Sequence, residues 1–575
     1  MAKRQKKEEI FINQLLSNLF EAKEDLHVPS KKLSHYRCKI TYNLPLKESS
    51  HLADKILNQV CEEVHNWLLR QDNSKILREV MAKCVRDGSI LLRVTVQRFQ
   101  DENPRNQWES YEAGFIETIT SRCPNVKCIC YNEALDQARP TKDAPFHLIY
   151  GENLYLMEKT HTGLPYQIGP ETFQECNHEV EDLQIIDKTN WVKEFQDGIL
   201  VVSGRDISAF GLGYGTLRNE NGGRVFKEVI AVQHCPLVNH DAQANYARHK
   251  DTLKSTVLHL VKDEMVNGLE KCLNEVLERN NHSPVVVITG GGRKGLNPLF
   301  IQFLKNHSSV KGIIYNSCSS KSLSEDMELF LSGPNGYIID KFHSYDLFSG
   351  TKKAASVLRL KRRPKTLILP IGAAGAGKSS LSKTLQGSGT PNSVEWWQRD
   401  LHFKKLRDEG ISLTKSKRLI HAEMISFLRE QDNAVRVLDS TNGNRDARLL
   451  YIQENNPQLV VFVEFVPNGD KEEEIIETLM KRTRCRLAGG NSNHPSFPET
   501  EEEQRIKHSS ILKGIVYTDD EEILRVCKIA DRVEAIKYQL DDTVTVYNLA
   551  YRVFLEFAIS TELRDVITKE WFLFK

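Results

Sequence analysis

The chain of 575 residues has almost no net charge. Lys and Arg total 78 against 77 Asp and Glu, a formal +1. That balance excludes a surface-wide footprint for polyanions, so any nucleic-acid site must be a local patch. Missing too is any run approaching the ~18–20 apolar residues of a membrane span. The N-terminal Met1-Ala2-Lys3-Arg4-Gln5-Lys6-Lys7-Glu8-Glu9 has no apolar signal core. The 12 cysteines include no C-x-x-C pair; their tightest group is Cys123, Cys128 and Cys130. This argues for free thiols in a reducing compartment and against a structural zinc or iron–sulfur centre. The expected location is cytoplasmic or nuclear, neither secreted nor membrane-bound. No internal repeat of ~20–50 residues is visible.

What is present suits a globular chain of two to four domains: 40% apolar, 8% aromatic and 27% charged residues. Residues 1–34 read as a polar, amphipathic lead-in. Asp54 to Leu69 carries Ile56, Leu57, Val60, Val64 and Leu68 at helical spacing. Ile90–Val96 reads as a strand and 101–111 as a polar loop. After about residue 195, short apolar strands alternate with helical stretches: Gly198–Gly204, Val229–Val232, Pro284–Thr289 and Gly312–Asn316. That rhythm predicts a parallel sheet with helices on its faces. Arg359-Leu360-Lys361-Arg362-Arg363-Pro364-Lys365 reads as a basic linker, after which a second strand–helix series begins. The acidic run Glu499–Glu503 reads as an exposed loop, and the apolar Val544–Phe557 as a segment that docks on the second series.

The strongest motif is Thr366-Leu367-Ile368-Leu369-Pro370-Ile371 followed by Gly372-Ala373-Ala374-Gly375-Ala376-Gly377-Lys378-Ser379. It is G-x-x-x-x-G-K-S between an apolar strand and a helical segment, the context the motif requires. Glycines let successive amides approach phosphate oxygens. The expected ATP-binding residues are Gly372, Gly375, Gly377, Lys378, Ser379 and Ser380. Lys378 reaches the β/γ-phosphates, and the Ser379 hydroxyl ligates Mg²⁺. Pro370 is unusual, because proline suits a strand end and not a central strand. Downstream lie Gln398-Arg399-Asp400, the strand Ala434–Asp439 continuing Ser440-Thr441-Asn442, and a helix near 472–486 with Arg482 and Arg486 on one face.

This segment, about 364–525, resembles the polynucleotide-kinase-like branch of P-loop kinases, including the kinase domains of some tRNA ligases. Asn493-His494-Pro495 is a looser part of the likeness. The resemblance implies that Asp400 is the general base for the attacking hydroxyl and that Arg399 holds the acceptor phosphate. Asp439, Thr441 and Asn442 would order the acceptor site, with Arg482 and Arg486 acting as lid residues. ATP and Mg²⁺ are the implied ligands. The bland alternatives are turn-capping Asp and Asn, a helix N-cap Asp400, and a solvated arginine face.

Residues of roughly 35–360 resemble the RNA uracil-5-methyltransferase family. The likeness is carried by Tyr36-Arg37-Cys38-Lys39, Phe173-Gln174-Glu175-Cys176-Asn177, Val229–Gln233, Lys262-Asp263-Glu264, Val286–Leu296, Ile314–Cys318 and Asp346-Leu347-Phe348. It implies S-adenosylmethionine chemistry in which Cys318 is the nucleophile at C6 of uracil. The chain departs from the family at the cofactor loop (Ser203 to Phe210), at Gln233 for the ribose-binding acid, at Gly290 for the motif Asp, at Glu175 for the motif Gln and at Lys353-Ala354-Ala355 for the segment that supplies the base. A retained fold with lost methyl transfer is expected, so S-adenosylmethionine is an open question.

The expected architecture is α/β, a Rossmann-like methyltransferase domain followed by a P-loop kinase domain. In segments, 35–195 is an RNA-facing part, 196–358 the Rossmann-like domain, 359–365 the linker, 366–525 the kinase-like domain and 526–575 a helical tail. The expected function is ATP-dependent phosphoryl transfer to the 5′-hydroxyl of tRNA or another RNA, with the first domain as RNA-binding module. Two alternatives stand behind it: a working RNA uracil-5-methyltransferase with an accessory P-loop domain, and a non-catalytic RNA-binding scaffold.

Overall fold

The structure is a computed structural model. It describes all residues except 1, 23–25, 33, 45, 47–49, 72–74, 99–103, 136–144, 205–206, 234–235, 260–264, 293, 333–334, 350, 352–353, 388–393, 431–433, 468–470, 489–499, 540–545 and 566–575, and except the side chains at some element ends, among them 2–10 and 483–488. Two compact units emerge. One comprises 26–323 with 342–359; the other comprises 1–25, 324–341 and 360–575.

The first unit opens with a five-stranded sheet: β1 (Lys39–Asn43), β2 (Leu77–Cys84), β3 (Ile90–Arg98), β4 (Val126–Leu135) and β5 (His147–Tyr150), in that spatial order. Helix α1 (Lys55–Leu69) starts where Asp54 accepts the Ile56 N–H at 2.9 Å, and it buries Leu57, Val60, Val64 and Leu68 at helical spacing. The stretch 101–111, expected as a loop, is helical from Pro104. Helix α2 runs Pro104–Arg122, with proline pre-set for a first helical turn and Trp108, Phe115 and Ile119 buried. Its polar first turn hid it from the periodicity.

The same unit carries β6 (Gly198–Ser203), β7 (Phe226–Gln233), β8 (Ser255–His259), β9 (Val285–Gly290) and β10 (Val310–Ser317), as the alternating pattern predicts. With β11 (Tyr337–Tyr345), β12 (Ala355–Arg362) and the short His27–Val28 they form an eight-stranded sheet. Its order is 27–28, β11, β12, β10, β9, β6, β7, β8. From β8 to β10 every pairing is parallel. The strand order therefore reverses at β6; Ser203, Gln233 and Gly290 end β6, β7 and β9 at the sheet's carboxyl edge, where open α/β sheets take ligands. Helices α3 (His178–Val192) and α4 (Ile207–Gly215) flank it.

The second unit contains a parallel sheet of β13 (Thr366–Ile371), β14 (Val394–Gln398), β15 (Val435–Asp439), β16 (Leu459–Val466) and β17 (Arg532–Gln539), ordered β14-β15-β13-β16-β17. Helices α5 (Lys378–Gly387), α6 (Arg399–Asp408), α7 (Leu413–Arg429), α8 (Arg445–Asn455), α9 (Glu472–Ala488), α10 (Glu501–Lys513) and α11 (Val546–Ala558) surround it. Strand β13 is central and buried at all six positions.

Four expectations need correction. The basic segment 359–365 is not a solvated linker: most of it is β12, and Arg359 and Arg363 are both only 2% exposed. Arg359 donates to the Trp191 carbonyl at 3.2 Å and pairs with Glu194, while Arg363 donates to the Leu331 carbonyl at 3.1 Å. Of the acidic run, Glu501–Glu503 form the first turn of α10, which Thr500 caps; carboxylates suit that positive end. The tail from 526 is not wholly helical, because β17 completes the sheet before α11 packs on α5. The lead-in is the helix Ala2–Glu21. It buries Phe11, Leu15 and Leu19, with the Phe11 ring 5.0 Å from Tyr547 and 5.2 Å from Tyr551 on α11.

Candidate active site

The loop of Gly372 to Gly377 joins β13 to α5. Pro370 is tolerated in the central strand because the β13–β15 ladder ends at Ile368, two residues earlier, and the Asn442 amide donates to the Pro370 carbonyl at 2.9 Å. A Cβ on Gly372 would lie 2.8 Å from the Phe465 Cβ, so no larger residue fits there. Gly375 and Gly377 adopt φ of 81° and 108°, backbone conformations that favour glycine. Lys378 is buried, and its Nζ donates to the Gly372 and Ala373 carbonyls, both at 2.8 Å. Ser379 accepts from Gln398 Nε2 at 3.2 Å at the start of α5, and Ser380 is exposed beside it.

Asp439 ends β15, the neighbour of the loop strand, and is 5% exposed. Burial raises its pKa, the Lys378 charge and a Ser379 hydrogen bond oppose that rise, and Asp400 adds to it. Trp396 Nε1 donates to Asp439 at 3.3 Å. Asp439 therefore sits with Lys378 and Ser379. Asn442 follows in the loop after β15. At φ 48° it commits its amide to the Pro370 and Leu438 carbonyls, the latter at 2.8 Å, and its own carbonyl accepts from buried Arg448 at 2.6 Å. It braces the loop strand against β15. Thr441 contributes its carbonyl to the Gly372 N–H at 3.3 Å.

Asp400 lies in the first turn of α6 and Arg399 is exposed beside it. Lys507 of α10 interacts with Asp400: burial lowers the pKa of the ammonium and Asp400 draws it back up. Neither Lys507 nor fully buried Glu464 was marked by sequence. Glu464 pairs in register with Ile371 and accepts the Thr518 N–H at 2.5 Å. Arg482 is half-exposed on α9, which Arg505 of α10 ties through Glu477 at 2.6 Å. Arg486 falls on the same helix with its side chain outside the described residues, as Asn493-His494-Pro495 is wholly.

In the other unit, Cys318 directly follows β10 and is half-exposed. Gly290 pairs with Asn316, and Gln233 is buried at 1% exposure. Arg205, Asp206, Lys262-Asp263-Glu264, Arg293 and Lys353 lie outside the described residues. Three of the scattered family-like segments meet. Tyr36 donates to the Ser349 carbonyl at 2.8 Å, the Cys38 N–H to the Cys176 carbonyl at 3.0 Å, and the Cys176 thiol to the Leu347 carbonyl at 3.6 Å.

Nearby, a cavity of about 200 Å³ is lined by Arg86, His161, Tyr166, Gln174, His178 and Phe210, among others. Gln174 Nε2 donates to the Cys84 carbonyl at 2.9 Å and contacts His178 Nε2 at 3.0 Å, so that imidazole nitrogen accepts and His178 is neutral. Burial, with Arg86 beside it, pushes its pKa down to about 4. Against an unfolded value of ~6.5, the unfolded chain takes up the extra proton between pH 6.5 and 4. Thermal stability should therefore fall as pH falls through that window. His178→Asn should flatten the melting profile between pH 6.5 and 5; parallel profiles for the two proteins would show that His178 is not held neutral.

No family model matches the chain. A protein of Clostridium tetani (strain Massachusetts / E88), described as an uncharacterized RNA methyltransferase, is 29% identical over 104 residues, 17% of this chain and 22% of the relative. The chain thus spans less than a quarter of that relative's length. The match supports the resemblance of the N-terminal part to RNA methyltransferases. Among solved structures, the tRNA (uracil-54, C5)-methyltransferase of Pyrococcus abyssi in complex with S-adenosyl-L-homocysteine is 16% identical with a TM-score of 0.39, covering 60% of this chain and 82% of that one. A gluconokinase from Sinorhizobium meliloti 1021 is also 16% identical, with a TM-score of 0.22, covering 34% of this chain and 96% of that one. Overlaps this low carry no weight for activity. Among the described residues no helix is long and apolar enough to cross a membrane.

Proposed function

We propose that the chain transfers the γ-phosphoryl of ATP to the 5′-hydroxyl of a nucleic acid, RNA favoured, and that the methyltransferase-like unit binds the RNA. The observation that supports this most is the meeting of Lys378 and Ser379, at the start of α5, with Asp439 at the end of β15, where Asp400 also acts on the Asp439 carboxylate. The donor set fits Mg·ATP. Lys378 already holds two loop carbonyls and can exchange them for phosphate oxygens; the Ser379 hydroxyl and the Asp439 carboxylate would hold Mg²⁺, which neutralises phosphate charge. Asp400 then accepts the proton of the attacking hydroxyl. The new O–P bond forms as the γ-phosphoryl leaves the β-phosphate oxygen, and Arg482 and Arg486 would stabilise the spreading charge. Arg399 would steady the acceptor phosphate.

Labelled-phosphate transfer from ATP to 5′-hydroxyl RNA, 5′-hydroxyl DNA and free nucleosides, run side by side on the full chain, tests the reading. Transfer to none of them by protein that binds ATP rejects it. Transfer to nucleosides alone keeps the chemistry and rejects the nucleic acid.

A second reading, methyl transfer to RNA with Cys318 as nucleophile, is favoured by the sequence relative, which speaks for this unit and is silent on phosphoryl transfer. Among the described residues Gln233, buried at the end of β7, offers no charged acceptor for the ribose hydroxyls. Calorimetry should therefore show weak or no S-adenosylmethionine binding by the full chain. Micromolar binding would put methyl transfer first.

A further inference from the structure

Between Arg399 and Arg418 the sequence packs seven Lys and Arg against three Asp and Glu, in a chain whose total is +1. The segment is a helical hairpin, α6 packed on α7, with Leu406, Ile420, Met424 and Leu428 turned inward. Lys404, Lys405, Arg407, Lys415, Lys417 and Arg418 are all exposed. None of the six makes an ion pair among the described residues. Arg407 bonds only a carbonyl, that of Ile411 at 2.9 Å, across the turn of the hairpin. Elsewhere in the same unit guanidinium groups are matched: Arg429 with Glu454, Arg436 with Glu395 and Glu430, Arg448 with Glu522, Arg505 with Glu477. Exposed cations left unpaired on one hairpin raise a local positive potential.

We infer that the α6–α7 hairpin is the track along which the phosphates of a single-stranded RNA acceptor run away from Asp400. Resting on the phosphoryl-transfer reading, this assigns the substrate class of the acceptor side. The placement carries it. Asp400 occupies the first turn of α6, and the cations begin about one helical turn further along. A strand whose 5′-hydroxyl reaches Asp400 has its following phosphates over that helix. Leu401 and Leu413, 58% and 50% exposed near the starts of the two helices, offer apolar contacts to unstacked bases. The apolar side of the hairpin faces its own sheet, leaving no broad apolar face to enter a bilayer.

The test uses the full chain and two readouts. Anisotropy of a labelled single-stranded RNA of about twelve residues, without ATP, reports binding as a function of salt. The 5′-transfer assay reports KM for that RNA, for a dinucleotide and for ATP. Lys404→Glu/Lys405→Glu and Lys415→Glu/Lys417→Glu, all at exposed positions, should each weaken binding and raise the RNA KM at least tenfold. The log–log salt slope should become shallower by about 1–2, as expected at roughly 0.7 per lost phosphate contact on a single strand. The dinucleotide KM should change less than that of the longer RNA, and the ATP KM not at all. RNA binding unaffected by both double variants overturns the track, as does loss confined to phosphoinositide vesicles or to an acidic peptide. RNA binding that the variants weaken, in a protein that transfers no phosphate, keeps the surface and rejects the phosphoryl-transfer reading instead.

Discussion

Lys378→Ala should lower the affinity of the full chain for Mg·ATP by about 10²-fold or more, measured by calorimetry. The ammonium is buried and already bonds two loop carbonyls at 2.8 Å each. On phosphate it would make charge-assisted bonds worth roughly 1.5–3 kcal/mol apiece, and two of them span that loss. Replacing it also leaves the Gly372 and Ala373 carbonyls without their donor, so the empty loop loses order as well. Lys378→Arg should not rescue: the guanidinium fork is wider than the ammonium, and its site lies between two carbonyls of a tight loop. Unchanged ATP affinity in Lys378→Ala would mean that the loop binds no nucleotide.

Asp400→Asn should lower kcat for transfer to 5′-hydroxyl RNA by roughly 10²–10⁴-fold while ATP affinity stays within about twofold. The amide keeps the size of the side chain and its place on α6 but cannot take the proton. Asp439→Asn provides the contrast. That carboxylate lies against Lys378 and Ser379, so its loss should raise the Mg²⁺ concentration needed for half-maximal rate and weaken nucleotide binding with it. If Asp400→Asn and Asp439→Asn show the same profile, the assignment of one to the acceptor and the other to the metal is wrong. Equal loss of kcat with an RNA and with a free nucleoside acceptor would further place Asp400 in the chemical step and not in RNA docking.

Much of the fold was legible before any coordinates. Runs such as Val285–Thr289 and Val435–Asp439 are too apolar and too short for anything but buried parallel strands, and a strand followed by G-x-x-x-x-G-K-S admits few other conformations. The errors have specific causes. The 359–365 segment looked like a linker because its composition is that of a solvated surface. Its arginines are instead buried by partners that no local rule could name: a carbonyl at Trp191 and a carboxylate at Glu194 for Arg359, a carbonyl at Leu331 for Arg363. The start of α2 was missed because Pro104-Arg105-Asn106-Gln107 contains no apolar residue, so the periodic signal begins only at Trp108.

The candidate site divides along the same line. The sequence alone determined the conformation of the 372–379 loop, because glycine conformations and the positions of Lys378 and Ser379 all follow from eight consecutive residues. It also determined that Asp400, Asp439 and Asn442 lie at strand ends or helix starts. Which of them lies against Lys378 and which braces the loop was decided by strand order. Only because β15 lies beside β13 does Asp439 come against Lys378 and Ser379, and only because Asn442 turns to positive φ does its amide reach the Pro370 carbonyl. Lys507, 107 positions beyond Asp400 in the chain, could enter the site in no other way than by the packing of α10 near α6. Local chemistry is written in neighbouring residues; the electrostatic partners of a buried carboxylate are chosen by the sheet.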